Sequence, residues 1–155
     1  MLFVLFSAGD DRYAIPSRDI DVIIPFARLK SLPCAETAFS GLLNFRGDPV
    51  PVLDMNILLG HPPVEAYFTS RIILCETAVG TDSIRTLGLL AEEMTDTREL
   101  PEHQFIEPGS VSEKARYAGR IFEDTDGSYI QWLHPERILT PQIIAALSAT
   151  TDSAA

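Results

Sequence analysis

The fold is decided by the stretch Gly41-Leu42-Leu43-Asn44-Phe45-Arg46-Gly47-Asp48-Pro49-Val50-Pro51-Val52-Leu53-Asp54. Apolar residues lead into a polar, glycine-bearing tip and a second apolar run follows, which predicts a β-hairpin. Gly47 permits a positive φ angle, and Asn44 and Asp48 can bond to nearby backbone amides, so the tight reversal costs little strain. Such an order of residues favours a recognition surface over a catalytic pocket.

Two prolines limit how the second strand of this hairpin can pair. Pro49 and Pro51 are two residues apart, so both missing N–H groups lie on the same edge of the strand. We expect that edge to lack a full ladder and to face solvent, a loop or a partner.

Length and charge bound the class of protein. The 155 residues fit one compact unit or two small subdomains that share a core. A net charge of −10 argues against nucleic acid and an anionic membrane as partners, although solubility alone also explains this charge. Met1–Phe6 is too short for a signal peptide and no stretch reaches transmembrane length, so we predict a cytoplasmic protein without direct membrane insertion. Cys34 and Cys75 match no metal or redox spacing and are predicted to be buried free thiols.

Most apolar runs are short and bounded by turn residues, which predicts strands with few helices. The helices are expected at Met55–Leu59, with Asp54 as N-cap, and from Pro141 to Leu147, with Thr140 as N-cap. Residues 149–155 are small and polar and are expected to fray. The predicted strands are Leu2–Ser7, Arg12–Pro16, Asp19–Pro25, Phe39–Phe45, Val50–Leu53, Arg71–Glu76, Ile84–Leu90, Glu92–Arg98, Ala115–Phe122 and Ser128–Leu133.

No arrangement of catalytic groups emerges from the sequence. Phosphate-binding and hydrolase motifs are absent, and the three histidines are isolated, so surface or capping roles are favoured over a metal site. Glu92 and Glu93 would point to opposite faces of a strand, which favours a solvated edge over an acid–base pair. We therefore predict no catalytic residues, no metal and no cofactor.

The hairpin and its flanks carry a family resemblance. The specific motif is Gly41–Gly47, continued by Pro51–Asp54, and supporting matches lie in Tyr13–Pro16, Ile20–Ile23, Leu32-Pro33, Leu59-Gly60, Arg71–Leu74 and Leu87–Leu90. On these residues the chain resembles CheW, the adaptor that couples bacterial chemoreceptors to the two-component histidine kinase CheA, and the related CheW-like domains. Three residues depart from the family pattern: Phe45 replaces a leucine, Pro49 is a second proline, and His134 replaces an aspartate.

The resemblance implies an all-β fold of two five-stranded, SH3-like antiparallel barrels with short helices. It implies one CheW-like domain over residues 1–147, followed by a flexible tail at 148–155. We expect subdomain 1 to comprise residues 12–67, and subdomain 2 to comprise residues 1–9 with 68–147.

The resemblance also implies partners: the cytoplasmic tip of a methyl-accepting chemoreceptor and the regulatory domain of a CheA-type kinase. The kinase would bind a face of subdomain 2, and the protein would reach the membrane only through receptor arrays. An inter-barrel groove would bind the receptor through Ile20, Val22, Gly41, Asn44, Phe45 and Arg46. Within it, Gly41 would let another backbone approach and Arg46 would hold a carboxylate by two hydrogen bonds.

Two alternatives stay open at this point. A CheW-like competitor would bind one partner and block assembly of receptor with kinase. A small β-barrel enzyme or ligand-binding protein would need a pocket with convergent polar groups, which the sequence does not indicate.

Overall fold

The computed structural model describes residues 1–65, 68–76, 86–109 and 117–154, with side chains described up to residue 149. Ten strands and two α-helices occur in these ranges. The strands are β1 (Leu2–Ala8), β2 (Asp11–Pro16), β3 (Val22–Pro25), β4 (Phe39–Phe45), β5 (Asp48–Asp54), β6 (Arg71–Glu76), β7 (Thr86–Ala91), β8 (Glu93–Glu99), β9 (Ala118–Glu123) and β10 (Tyr129–Leu133). The helices are α1 (Met55–Leu58) and α2 (Pro141–Ala154), and short 3₁₀ turns lie at Ser17–Asp19, Glu102–Gln104 and Pro135–Arg137.

The strands form two five-stranded sheets, which confirms the predicted all-β fold class. One sheet has the order β8-β1-β2-β10-β9, and the other has the order β3-β6-β7-β5-β4. Both sheets show the same pairing sequence across their width: antiparallel, antiparallel, parallel, antiparallel. The two sheets therefore share one arrangement of strand directions, but the order of the strands along the chain differs between them.

Sheet membership corrects the predicted subdomain boundaries. The first strand does join strands from the end of the chain, because β1 pairs with β8. However, β2 lies in that same sheet, whereas β6 and β7 join the sheet that contains the hairpin. The predicted break near residue 67 therefore does not separate the sheets. Pairing between strands distant in sequence decides membership, and a composition shift along the chain does not report it.

Among the described residues, three apolar clusters hold this arrangement together. One fills the β1–β2–β9–β10 side, where Trp132 meets Phe3 and Phe105 edge-on at centroid distances of 5.0 and 5.2 Å. A second lies inside the hairpin sheet. The third contains residues of both sheets, including Phe6 and Leu53, and it joins the two sheets into one unit. Burial of apolar area on this scale is the main stabilising term of folding.

Asp54 ends the hairpin and begins α1, as predicted. Its Oδ1 accepts from the backbone N–H of Asn56 at 2.8 Å and of Ile57 at 3.4 Å, while Oδ2 accepts from Val64 N–H at 2.9 Å. Burial raises the pKa of this carboxyl against the lowering effect of these three hydrogen bonds. One side chain thus satisfies helix donors and fixes the loop that leaves the helix.

The C-terminal region differs from its prediction. Thr140 caps α2, because its Oγ1 accepts from Ile143 N–H at 3.2 Å, but the helix continues to Ala154 where fraying was expected. Ile143 and Leu147 pack on the cluster between the sheets and anchor the helix, and its alanines favour continuation. Among the described residues, no helix is long and apolar enough to cross a membrane.

Smaller differences concern strand ends. The predicted strand from Asp19 begins only at Val22, because Ser17–Asp19 forms a 3₁₀ turn. Residues 84–85 and 115–116 of two predicted strands lie outside the described ranges. Cys34 is half-buried and Cys75 is buried, both as free thiols, and burial raises the pKa of Cys75 to about 12.

Candidate functional site

The hairpin tip has the geometry of a two-residue turn with a left-handed backbone at both positions. Arg46 has a φ angle of 53° and Gly47 one of 88°, between the paired residues Phe45 and Asp48. Such turns match the twist of the flanking strands. Asn44 Oδ1 accepts from Gly47 N–H at 3.0 Å, which fixes the turn. Arg46 is therefore held in a conformation that costs a non-glycine residue about 1 kcal/mol.

Phe45 and Arg46 form one structural unit on the tip. The Phe45 ring is half-buried against the cluster inside the hairpin sheet, and the Arg46 guanidinium carbon lies 4.8 Å from the centroid of that ring. This cation–π contact orients a charge that is otherwise exposed to solvent. Within the described ranges Arg46 has no ion-pair partner, so its donors stay available to an acceptor.

The structure explains why position 41 is a glycine, which the sequence did not reveal. It has a φ angle of 145°, and a Cβ built on it would lie 2.8 Å from both Leu29 Cβ and the backbone oxygen of Lys30. The backbone that approaches Gly41 closely is therefore the chain's own segment. Since Gly41 is buried beneath that segment, its direct effect is on the shape of the surface beside the hairpin.

Ile20 and Val22 lie over different apolar clusters. Val22 packs on the same cluster as Phe45, so these two predicted site residues share one core. Ile20 instead packs on the cluster between the sheets. The structure thus relates Val22 to the hairpin and places Ile20 at the junction of the sheets.

The surroundings of Ile20 are acidic. Ile20 lines a cleft of about 540 Å³ together with Arg18, Asp19, Asp21, Glu76, Pro135 and Glu136. Burial, and then the nearby Glu136 carboxylate, raise the pKa of Asp19. A partner at this end of the surface meets concentrated negative charge.

Sequence reasoning missed the segment that lies against β4. Lys30 and Leu42 exchange both backbone hydrogen bonds, each at 2.8 Å. Leu42 forms a non-hydrogen-bonded pair with Pro51 of β5, so its N–H and C=O both point away from β5 and towards Lys30. In the sequence, the alternation of charged and apolar residues in Arg28-Leu29-Lys30, within a run between Pro25 and Pro33, is the signal of an extended edge segment.

The structure also shows which edge of β5 the two prolines, Pro49 and Pro51, leave without a full ladder. β7 pairs with β5 only over Val52–Asp54, just beyond Pro51, so the first half of β5 has no β7 ladder. The two prolines thus leave this half of the hairpin to project from the sheet.

The described residues contain no group of three or more His, Cys, Asp or Glu side chains positioned to hold a metal ion. His134, which takes the place corresponding to Asp54, makes no side-chain capping bond. Its ring instead stacks on Trp132 at a centroid distance of 5.4 Å. At the end of β10 the His134 side chain therefore packs on an aromatic ring and does not cap the 3₁₀ turn that follows.

Comparisons with known proteins agree with this geometry. A family model described as CheW-like domain matches residues 2–142. Protein FrzA of Myxococcus xanthus is 24% identical over 106 residues, which are 68% of this chain and 63% of that protein. The match therefore spans less than two thirds of that relative. The crystal structure of the scaffolding protein TtCheW from Thermoanaerobacter tengcongensis matches with a TM-score of 0.77 at 20% identity. It covers 90% of this chain and 87% of that chain, and at this identity it shows a common fold.

Proposed function

The chain belongs to the CheW-like domain family, and from this premise we propose that it couples a chemoreceptor to a CheA-type histidine kinase. The family consists of scaffold and adaptor proteins of chemotaxis signalling, so the protein is a non-enzymatic adaptor and the predicted resemblance is confirmed. We propose below which two partners it binds and which residues contact each of them.

The observation that carries the proposal is the pre-formed tip of the β4–β5 hairpin. Arg46 offers guanidinium donors above the Phe45 ring, on a turn whose conformation is fixed before any partner arrives. A receptor tip that presents a carboxylate beside an apolar stripe fits this pair, because guanidinium binds carboxylate in two-bond geometry. We assign direct receptor contacts to Phe45 and Arg46, and support to Ile20, Val22, Gly41 and Asn44.

The kinase contact is proposed for the sheet β8-β1-β2-β10-β9. Tyr129 of β10 is 54% exposed, and Ile106, which forms an isolated bridge to Ile121 of β9, is 56% exposed. Two exposed apolar groups along this edge of the sheet suit a protein contact better than solvent. Each partner would then bind its own sheet within one domain that spans residues 1–147. Such an adaptor acts in the cytoplasm and is localised to the membrane by receptor arrays.

The mechanism requires no chemical step. Because the inter-sheet cluster joins the two sheets into one unit, the protein would hold the kinase regulatory domain at a fixed distance from the receptor tip. Movement of the tip would then bias the conformational equilibrium of the kinase through two interfaces.

The test uses purified receptor tip fragment and kinase regulatory domain. Arg46→Glu is expected to weaken receptor binding by about 2 kcal/mol or more, which is about 30-fold, while kinase binding stays unchanged. Arg120→Glu makes the same charge change in the sheet proposed for the kinase, and it serves as the matched control for receptor affinity alone. Unchanged receptor affinity in folded Arg46→Glu would remove Arg46 from the interface.

Complex stoichiometry separates a bridge from a competitor. The proposal expects one particle that contains receptor fragment, adaptor and kinase domain together on size-exclusion chromatography with light scattering. Mutually exclusive pairs would identify a competitor and contradict the coupling role.

A further inference from the structure

A groove beside β4 has a charge opposite to that of the chain. It has a volume of about 580 Å³ and is lined by Arg28, Leu29, Lys30, Ser31, Leu42 and Asn44. The whole chain carries a net charge of −10, yet the ionisable side chains that line this groove are both cationic. We propose that the groove binds a short acidic segment of a partner protein.

The two cations of the groove are available for such a segment. Arg28 and Lys30 are exposed, and neither is in an ion pair with another described residue. They are two residues apart on an extended segment, a spacing that directs both side chains to the same side. Two adjacent cations in an acidic protein form a local positive potential that attracts negative charge and repels basic chains.

The groove is held open by the contacts already described. Residues 28–31 form one wall of the groove. Two hydrogen bonds between Lys30 and Leu42 fix this wall to β4, and the missing side chain of Gly41 lets the wall lie close to β4. Because this wall is fixed in the free protein, binding does not require the cost of ordering it.

Asn44 adds specificity for a peptide over a simple anion. Asn44 uses its Oδ1 to fix the turn, and its amide N–H groups have no partner among the described residues, so they remain donors at the groove. Leu29 is half-buried and packs its side chain on the cluster inside the hairpin sheet, opposite the two cations, so it holds the segment that carries them. The exposed cations and the Asn44 amide donors together fit carboxylate side chains and backbone carbonyls of an acidic peptide.

The inference goes beyond receptor coupling: of the residues proposed for the receptor site, Asn44 also lines the groove, whereas the direct-contact residues Phe45 and Arg46 do not. The probe is a fluorescein-labelled peptide of alternating glutamate and leucine, with a lysine–leucine peptide of equal length as the charge-reversed counterpart. Binding is measured by fluorescence anisotropy at low and at physiological ionic strength. Amide chemical shifts of the isotope-labelled protein locate the bound peptide.

The acidic peptide is expected to bind, with shift changes centred on residues 28–31 and 42–44 and weaker affinity at higher salt. Arg28→Glu should weaken binding about tenfold. Arg18→Glu, an exposed arginine outside the groove, makes the same charge change and should leave affinity nearly unchanged. Lys30→Gln provides a second variant in case Arg28→Glu does not fold.

Three results would overturn the inference. They are absence of measurable binding, shift changes that lie away from the groove, and an equal loss of affinity in Arg18→Glu and Arg28→Glu. Because the assay contains no receptor or kinase, its outcome is independent of the coupling proposal.

Discussion

Replacing Asp124 by asparagine tests the ion-pair network that connects three parts of one sheet. Asp124 lies in the β9–β10 turn, and its Oδ2 accepts from Arg98 of β8 at 2.9 Å and from Arg12 of β2 at 3.0 Å. Its Oδ1 accepts from Arg98 at 3.1 Å and from Thr125 N–H at 2.9 Å. The side chain of Asp124 is only 9% exposed, whereas the two arginines are 27% and 32% exposed.

The magnitude follows from this intermediate burial. Exposed ion pairs contribute about 0.2–1 kcal/mol, and breaking a buried pair costs about 3–5 kcal/mol. For Asp124→Asn we expect a loss of about 2 kcal/mol in the free energy of unfolding at neutral pH, with the fold retained. The hydrogen bonds to Arg98, Thr125 and Arg12 lower the pKa of Asp124 in the folded state.

The sign of the pH dependence follows from the lowered pKa. The stabilisation is complete above the unfolded carboxyl pKa of about 3.9, and it decreases as the pH falls from there towards the folded pKa. Each pH unit in that window removes about 1.4 kcal/mol, so the difference between wild type and Asp124→Asn should shrink by about 1 kcal/mol at pH 3.

The assay is urea denaturation of both proteins at pH 7 and pH 3, followed by circular dichroism. Asp48→Asn is the matched control, because Asp48 lies directly beside the hairpin turn of the other sheet and is exposed. It should change stability by less than about 0.5 kcal/mol. An equal loss in both variants, or a loss for Asp124→Asn that stays constant down to pH 3, would refute the ion-pair reasoning.

Four further outcomes are expected. Gly41→Ala should lower the free energy of unfolding by about 2 kcal/mol and broaden the amide signal of Lys30, because the new Cβ would clash with Leu29 and with the Lys30 backbone. An unchanged melting temperature would contradict this close approach. Arg46→Asn should raise stability by about 0.5 kcal/mol on thermal melting, because asparagine tolerates the left-handed backbone, whereas a lower melting temperature would show that the cation–π contact outweighs the strain. Asp54→Ala should cost about 2–3 kcal/mol in urea, and a loss below about 0.5 kcal/mol would disprove its double role. The Cys75 thiol should react with a thiol reagent only after unfolding, since burial raises its pKa to about 12; fast labelling of the native protein would contradict this.

Much of the architecture was predictable because the alternation and turn residues are local signals. The hairpin, the cap at Asp54 and the cap at Thr140 follow from a few neighbouring residues, and the structure confirms each. Sheet membership was not predictable in this way. The partner of β2 in the parallel pair is β10, more than a hundred residues further along the chain, and no local pattern reports such a contact.

The candidate site was predictable to a lesser degree. The turn chemistry of Asn44 and Gly47 was legible in the sequence, and the structure shows the expected hydrogen bond. The cation–π contact of Arg46 and the role of Gly41 depend on packing between segments, so sequence patterns did not predict them. The wall formed by residues 28–31 was missed for the same reason, since a single bridge to β4 defines it.

The central claim is that this protein bridges receptor and kinase. Co-sedimentation with receptor-bearing membranes and the cognate CheA-type kinase, with and without the protein, tests it most directly. The account predicts that the kinase pellets and changes its activity only when the protein is present, and that Arg46→Glu abolishes this recruitment. A kinase that remains in solution while the protein itself pellets would contradict the account.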